Sequence, residues 1–221
     1  MLSFVLDIRD KVLLFDFDGT LVATEYLAQE VIDEYFKELN LGYHPPSALI
    51  IGRTWEAATE GIVDDAKLNG VKLEAKADLQ RLWKKHYHAK LTTGVKLVPG
   101  LKECIESFRA QARGMALVTG SDHQEVQTVL KYHQLEGYFD RIWAFGDYEK
   151  SKPDPSPFLT ALKGLSAAPE DVIVCADSPA GMESASRAGL SFVQVAYEAH
   201  AKVPDPRALR VIKDWNDFIL S

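Results

Sequence analysis

The sequence predicts an α/β fold, in which a doubly wound, Rossmann-like parallel sheet forms the core and an α-helical cap domain is inserted into it. Two observations lead to this fold class. From about residue 95 onward, short continuous apolar segments alternate with segments of helical periodicity. Before that point, one long stretch shows helical periodicity alone. Strands that are buried on both faces form continuous apolar runs, and their alternation with helices favours right-handed βαβ units.

The predicted strands are short apolar segments. The first is KVLLFD at residues 11–16, and the others lie at residues 114–119, 141–145, 171–175 and 191–195. Segments with apolar residues at helical spacing lie at residues 101–112, 121–135, 155–165 and 179–189. The last of these closes on Gly189, a residue type that is common just beyond helix C-termini. Ligands of such a sheet bind outside the carboxyl ends of its strands, so the site is expected there.

The inserted stretch, residues 24–93, contains amphipathic helices and no convincing strand. Residues 25–39 place their apolar side chains on one stripe, and residues 77–91 do the same. Helices of this kind bury one face and leave the other in water. We interpret the stretch as a lid that opens and closes over a site.

The domain boundaries follow from this insertion. We predict a core domain of residues 1–22 plus 94–221 and a helical cap domain of residues 23–93. The segments HPP at 44–46 and TTG at 92–94 are interpreted as linkers.

The composition excludes several classes of protein. Of the 221 residues, 47% are hydrophobic and 26% are charged, as is usual for a globular protein. No apolar stretch approaches the roughly 20 residues that span a bilayer. A net charge of -7 gives no electrostatic reason to expect nucleic-acid or membrane partners. The two cysteines lack metal-ligand spacing, which favours buried thiols in a reducing cytoplasm. The oligomeric state stays open.

The strongest local signal is DFDGTL at residues 16–21, where the first predicted strand ends. Asp16 and Asp18 are two residues apart at the expected site, and Gly19 permits a sharp turn. A calcium-binding loop is excluded, because its sixth position would be Leu21 rather than Gly and its twelfth would be Leu27 rather than Glu. The remaining alternative is a solvated polar turn.

Thr119, Gly120 and Ser121 follow the second predicted strand. In a functional interpretation, the Thr119 hydroxyl and nearby backbone N–H groups bind a phosphoryl oxygen. In the alternative, Ser121 or Asp122 only caps the following helix.

Lys152 and Asp177 complete the candidate set. Lys152 lies in SKPDPSPF, where the prolines stiffen the chain and hold the ammonium in place. Asp177 ends another strand and adds an oxygen ligand for a hard cation such as Mg2+. The alternative for Lys152 is a solvated surface charge, and the alternative for Asp177 is a helix N-cap.

The four segments together resemble the motifs of the haloacid dehalogenase-like superfamily. DFDGTL is similar to its first motif, LVTGS to the second, KPDP to the third and ADSPAGMESASRAG to the fourth. The helical insertion resembles the cap of its β-phosphoglucomutase and phosphoglycolate phosphatase branch. This resemblance implies a Mg2+-dependent phosphatase that acts on a small phosphate ester, of the phosphoglycolate or sugar-phosphate type.

The resemblance also implies a role for each matching residue. Asp16 is the nucleophile, and Asp18 is first the general acid and then the general base. Thr119 and Lys152 hold the phosphoryl oxygens. Mg2+ is bound by the side chains of Asp16 and Asp177 and by the main-chain carbonyl of Asp18.

The sequence departs from its relatives at two informative positions. Many relatives carry an acid just before the fourth-motif aspartate, whereas this chain has Ala176, so we expect weaker Mg2+ binding. Similar phosphomutases carry a histidine where this chain has Ala28, which favours hydrolysis over mutase chemistry. Arg53 lies where relatives often present an arginine to the substrate, and its alternative is a cap-surface arginine.

Two alternatives to a phosphatase remain. One is a phosphomutase of the β-phosphoglucomutase type. The other is a non-enzymatic phosphoacceptor or binding protein of receiver-like chemistry. A receiver has no helical insertion and places its Lys-Pro after all its acids, whereas Lys152 here precedes Asp177.

Overall fold

The computed structural model describes residues 6–50, 55–197 and 199–218. The chain divides into two compact units. One comprises Met1–Ala23 with Lys96–Ser221, and the other comprises Thr24–Val95. We call them the sheet unit and the helical unit.

The strands of the sheet unit are, in chain order, β1 (Val12–Phe15), β2 (Val22–Ala23), β3 (Lys96–Leu97), β4 (Gly114–Val118), β5 (Arg141–Trp143), β6 (Val172–Ala176), β7 (Ser191–Val195) and β8 (Arg210–Ile212). Six of them form a parallel sheet in the order β5-β4-β1-β6-β7-β8. β2 and β3 form a separate antiparallel pair. The predicted parallel α/β fold is confirmed. The edge strand β8 was not predicted, because it is short and only one of its residues is buried.

The helices are α1 (Glu25–Glu38), α2 (Trp55–Leu68), α3 (Lys76–Gly94), α4 (Leu101–Gln111), α5 (His123–His133), α6 (Ser156–Leu165) and α7 (Pro179–Arg187). The last four confirm the helices predicted between the strands. α7 ends just before Gly189, which has a φ of +74° and so adopts the left-handed conformation that glycine favours. No described helix is both long and apolar enough to cross a membrane.

The helical unit packs α1 and α2 against α3. Phe36 and Trp83 are buried in its core, and Lys90 of α3 forms ion pairs with Glu30 and Glu34 of α1 at 3.0 and 2.9 Å. The predicted linker at residues 92–94 is wrong, because α3 continues through it. The Thr93 hydroxyl donates to the Ala89 carbonyl at 3.2 Å, one helical turn back, which is how a threonine remains compatible with a helix.

The register of the sheet determines where the candidate residues lie. Phe15 of β1 pairs with Leu117 of β4 on one side and with Cys175 of β6 on the other. These strands run parallel, so their carboxyl ends share one edge of the sheet. Each of these strands is followed by a candidate residue, so Asp16, Thr119 and Asp177 lie next to one another at this edge.

An aromatic cluster packs around Phe15, the last residue of β1. Phe15, Phe108, Trp215 and Phe218 are buried, with ring centroids 4.8 to 6.1 Å apart. The Trp215 indole N–H donates to the Thr20 carbonyl at 2.9 Å. The cluster thus ties the C-terminal segment to the loop that follows β1.

Replacing Phe108 with alanine is expected to lower the free energy of unfolding by about 3–5 kcal/mol, because it removes a ring from this cluster and leaves a cavity. Val203 is a suitable control, since its side chain is 80% exposed. Val203→Ala should change stability by less than about 0.5 kcal/mol. Denaturant unfolding of both variants measures the difference. Equal effects would show that the cluster does not stabilise the sheet unit.

Candidate active site

Asp16 lies at the carboxyl end of β1 and is 7% exposed. Its backbone N–H donates to the Cys175 carbonyl at 2.8 Å, which continues the ladder between β1 and β6. One carboxylate oxygen, Oδ1, accepts the Phe17 N–H at 2.8 Å. The other, Oδ2, lies 2.7 Å from the Lys152 ammonium. Both oxygens are therefore held in place while the carboxylate still faces the edge of the sheet where ligands bind.

Lys152 lies in the loop before α6 and contacts groups at the ends of two neighbouring strands, β1 and β4. Its Nζ contacts Asp16 and also donates to the Val118 carbonyl of β4 at 2.8 Å. The ammonium lies 5.2 Å from the ring centroid of Phe158, and the side chain is only 10% exposed. The alternative of a solvated lysine is wrong. A cation is placed where it offsets the charge of an anion that approaches Asp16.

Asp18 lies two residues further on and accepts a hydrogen bond from Ser121. The Ser121 hydroxyl is 2.5 Å from Asp18 Oδ2. The helix cap of α5 is Asp122 rather than Ser121, since its carboxylate accepts the Glu125 N–H at 2.8 Å. Ser121 thus orients Asp18, and its direct contact with a phosphoryl group stays a prediction.

Thr119 and Gly120 differ in exposure at the end of β4. Thr119 is completely buried, and its hydroxyl oxygen accepts the Ser121 N–H at 3.0 Å. Gly120 is exposed, and its N–H has no acceptor within the described part of the chain. Gly120 therefore offers an N–H donor at this strand end that the described residues leave unused.

Asp177 follows β6 and is 2% exposed. The Thr20 hydroxyl donates to its Oδ1 at 2.9 Å. Gly19 has a φ of +70° and lies so close that a Cβ there would be 2.1 Å from Asp177 Oδ2. The N-cap of α7 is Ser178, which accepts the Gly181 N–H at 3.0 Å, so the N-cap alternative for Asp177 is wrong.

Small residues bring the start of α7 close to Asp16. A Cβ on Gly181 would lie 3.0 Å from Asp16 Oδ2 and 3.3 Å from the Ala176 Cβ. Ala176 itself is completely buried in the apolar core of the sheet unit. The position where relatives carry an extra acid is therefore occupied here by part of that core.

The donor set suits a hard divalent cation. Asp16 and Asp177 follow the adjacent strands β1 and β6, and both are carboxylates held by neighbouring donors. Oxygen-only ligands of this kind match Mg2+, which binds one or two carboxylates and completes its shell with water and phosphate oxygens.

The motifs did not mark Tyr148 or Trp215, which the structure places here, and they did not show that the Thr20 hydroxyl binds Asp177. The Tyr148 hydroxyl donates to the Thr119 carbonyl at 2.7 Å, and burial, followed by the charges of Asp16 and Asp147, raises the pKa of Tyr148 to about 12. Trp215 binds the loop after β1 through Thr20, which in turn binds Asp177. No local pattern marks Tyr148 or Trp215, whereas the position of Thr20 after DxDG was a usable signal. Arg53 lies outside the described residues.

The sequence is similar to a known family of hydrolases and to named phosphatases. The sequence matches the family described as haloacid dehalogenase-like hydrolase over residues 13–195. It is 27% identical to a phosphoglycolate phosphatase of Aquifex aeolicus, with 81% of each chain covered. It is 30% identical to a phosphorylated carbohydrates phosphatase of Thermotoga maritima, over 81% of this chain and 82% of the relative.

Solved structures show the same fold. A protein of Haemophilus somnus, described as a "predicted phosphoglycolate phosphatase", superposes with a TM-score of 0.81. Its sequence is 24% identical, and the match covers 94% of this chain and 95% of that chain.

The close approach of Gly19 to Asp177 is testable with two glycine variants. Gly19→Ala and Gly189→Ala both force a side chain into a left-handed backbone, at a cost of about 1–2 kcal/mol each. Only Gly19→Ala also creates a clash, since nothing lies within 4 Å of a Cβ at Gly189. We expect Gly19→Ala to lose at least about 1 kcal/mol more stability in denaturant unfolding. Equal losses would contradict the packing of Gly19 on Asp177.

Proposed function

The chain belongs to the haloacid dehalogenase-like hydrolase family, and we propose that it is a Mg2+-dependent phosphatase that hydrolyses a small phosphorylated metabolite through an aspartyl-phosphate intermediate. The observation that carries this proposal is the contact between Lys152 and Asp16, at 2.7 Å and largely shielded from water. A carboxylate repels a phosphate dianion, so it can act as a nucleophile only where fixed positive charge offsets that repulsion. Lys152 supplies such a charge beside Asp16.

In the first step, a carboxylate oxygen of Asp16 attacks phosphorus and forms a new P–O bond. The bond from phosphorus to the ester oxygen breaks, and Asp18 gives its proton to that oxygen. Ser121 holds Asp18 in the required orientation through its 2.5 Å hydrogen bond. Lys152 and the Gly120 N–H bind the non-bridging phosphoryl oxygens, with Thr119 as a further predicted donor.

In the second step, Asp18 takes a proton from water, whose oxygen attacks phosphorus. The bond to Asp16 then breaks, which releases inorganic phosphate and restores the carboxylate. A single group thus acts as acid and then as base, because the first step leaves it ionised.

Asp16, Asp177 and the main-chain carbonyl of Asp18 are proposed to hold Mg2+. The ion, when bound, neutralises phosphoryl charge and orients the transferring group. The Thr20 hydroxyl fixes Asp177 Oδ1, and Gly19 keeps the loop close to Asp177 Oδ2. Second partners of this kind orient metal ligands and raise the affinity for the metal.

The substrate class is inferred from relatives that act on phosphoglycolate and on phosphorylated carbohydrates. We propose a phosphate ester of similar size for this chain, with the helical unit as the predicted cap. Arg53 stays a predicted contact for a second anionic group of the substrate, and the cytoplasmic location also stays a prediction. Hydrolysis is preferred over phosphomutase chemistry because α1 carries Ala28 where the mutase histidine would lie.

Asp16→Asn is expected to reduce steady turnover of p-nitrophenyl phosphate by at least about 1,000-fold, because the nucleophile is lost. Asp10→Asn is the matched control, since Asp10 is exposed and precedes β1, at the opposite end of the same strand. Its turnover should equal that of the unaltered chain. Acid-quenched protein should carry a labile acyl-phosphate with Asp16 and none with Asn. Unchanged turnover in Asp16→Asn would disprove this mechanism.

Chelation of divalent cations should abolish turnover, and added Mg2+ should restore it. Thr20→Val should then raise the Mg2+ concentration for half-maximal turnover by about 10- to 100-fold, because Asp177 loses its supporting hydroxyl. Thr59→Val, which deletes another buried hydroxyl at a site within the helical unit, should leave it unchanged. Calorimetric Mg2+ binding gives an independent measure. Identical Mg2+ dependence in both variants would rule out this role for Thr20.

A further inference from the structure

Tyr148 lies outside the four motifs, between the second and the third, yet it contacts the second motif directly. Its hydroxyl donates to the carbonyl oxygen of Thr119 at 2.7 Å. Its ring is partly buried, and this burial, followed by the charges of Asp16 and Asp147, raises the pKa of the phenol. The hydroxyl therefore stays protonated and able to donate at neutral pH.

The position of Tyr148 is fixed from both sides along the chain. Before it, Asp147 accepts the Ala144 N–H at 2.9 Å and contacts the His123 ring nitrogen at 2.7 Å. After it, the Glu149 N–H donates to the Ser156 hydroxyl oxygen at 3.2 Å. These contacts hold the loop before α6 against the start of α5 and the end of β5. The chain on both sides of Tyr148 is therefore bound to neighbouring elements.

The carbonyl that Tyr148 contacts belongs to the same peptide group as the Gly120 N–H. In a planar trans peptide, the C=O and the following N–H point in opposite directions. A group that holds the Thr119 carbonyl therefore also sets the direction of the Gly120 N–H. Gly120 is exposed, and its N–H has no acceptor among the described residues.

We propose that Tyr148 is a positioning residue of the active site, which holds the peptide between Thr119 and Gly120 so that the Gly120 N–H is directed at a phosphoryl oxygen. The proposal rests on the proposed function, because it needs a phosphoryl group at this strand end. Lys152 makes a second contact of the same kind, since it donates to the Val118 carbonyl at 2.8 Å. One loop thereby holds two successive carbonyls at the end of β4.

A hydrogen bond held in advance lowers the cost of ordering the donor when the phosphoryl group binds. Such preorganised amides stabilise charge on the transferring group without moving during the reaction. Loss of the Tyr148 hydroxyl leaves the amide in place but frees its direction. The effect should appear in the binding of phosphoryl oxygens and not in the amount of folded protein.

The test compares Tyr148→Phe with Tyr138→Phe. Tyr138 is the matched control, because its hydroxyl donates to Glu106 at 3.3 Å. Tyr148→Phe should lower kcat/KM for p-nitrophenyl phosphate about five- to tenfold, the size of one hydrogen bond. It should raise the inhibition constant of orthovanadate by the same factor. The lost hydrogen bond should lower the thermal midpoint by no more than about 2–4 °C, so the protein stays folded in the assay. Tyr138→Phe should match the unaltered chain in all three measurements.

Three outcomes would overturn the proposal. One is a Tyr148→Phe enzyme with unaltered kcat/KM and vanadate inhibition. Another is a fall in turnover with an unchanged vanadate constant, since a purely structural role reduces only the fraction of active enzyme. The third is an equal loss in Tyr138→Phe.

Failure of the proposed function gives a different result. The unaltered chain would then not turn over the ester at all. Calorimetric binding of inorganic phosphate with Mg2+ still compares the two variants in that case. Weaker binding in Tyr148→Phe alone supports the positioning role, and equal binding refutes it.

Discussion

The ion pair between Lys152 and Asp16 is the constraint on which the rest of the site depends. Both side chains are about nine-tenths buried, and removing two charges from water costs free energy that their attraction alone need not return. Additional hydrogen bonds to both groups offset part of this cost. The Phe17 N–H binds the second oxygen of Asp16, and the Val118 carbonyl accepts a second hydrogen bond from Lys152. These contacts all come from the ends of β1 and β4 or from the loop before α6, so those segments must keep their relative positions.

The same requirement explains why small residues surround the site. Gly19 approaches Asp177 more closely than any side chain at that position would permit, and Gly181 leaves room beside Asp16 only for a tight contact. Ala176 and Gly181 bring α7 against the end of β6. The Ala176 methyl, at the position where the sequence departs from the fourth motif of its relatives, belongs to the buried core.

Support for the site comes from parts of the chain that carry no motif. The aromatic cluster holds Trp215 under the loop after β1, and Trp215 in turn binds the carbonyl of Thr20. Tyr148 makes a comparable contact at the end of β4. Each of these side chains binds a main-chain carbonyl, so each controls backbone direction without providing any reacting atom. A search for reactive side chains overlooks such residues, although the geometry of the reacting groups depends on them.

The sequence by itself determined the parallel α/β fold, the helices between the strands and the alignment of Asp16, Thr119 and Asp177 at strand ends. Apolar runs and helical spacing are local patterns, and a parallel sheet places the ends of adjacent strands together. Only the tertiary structure decided which partner each polar group takes. It directed Ser121 to Asp18 and placed Lys152 beside Asp16. It also brought Tyr148 to Thr119 and Trp215 to Thr20. The physical reason is that hydrogen bonds and ion pairs between distant segments depend on distances of a few ångströms, which packing sets and which spacing along the chain does not encode.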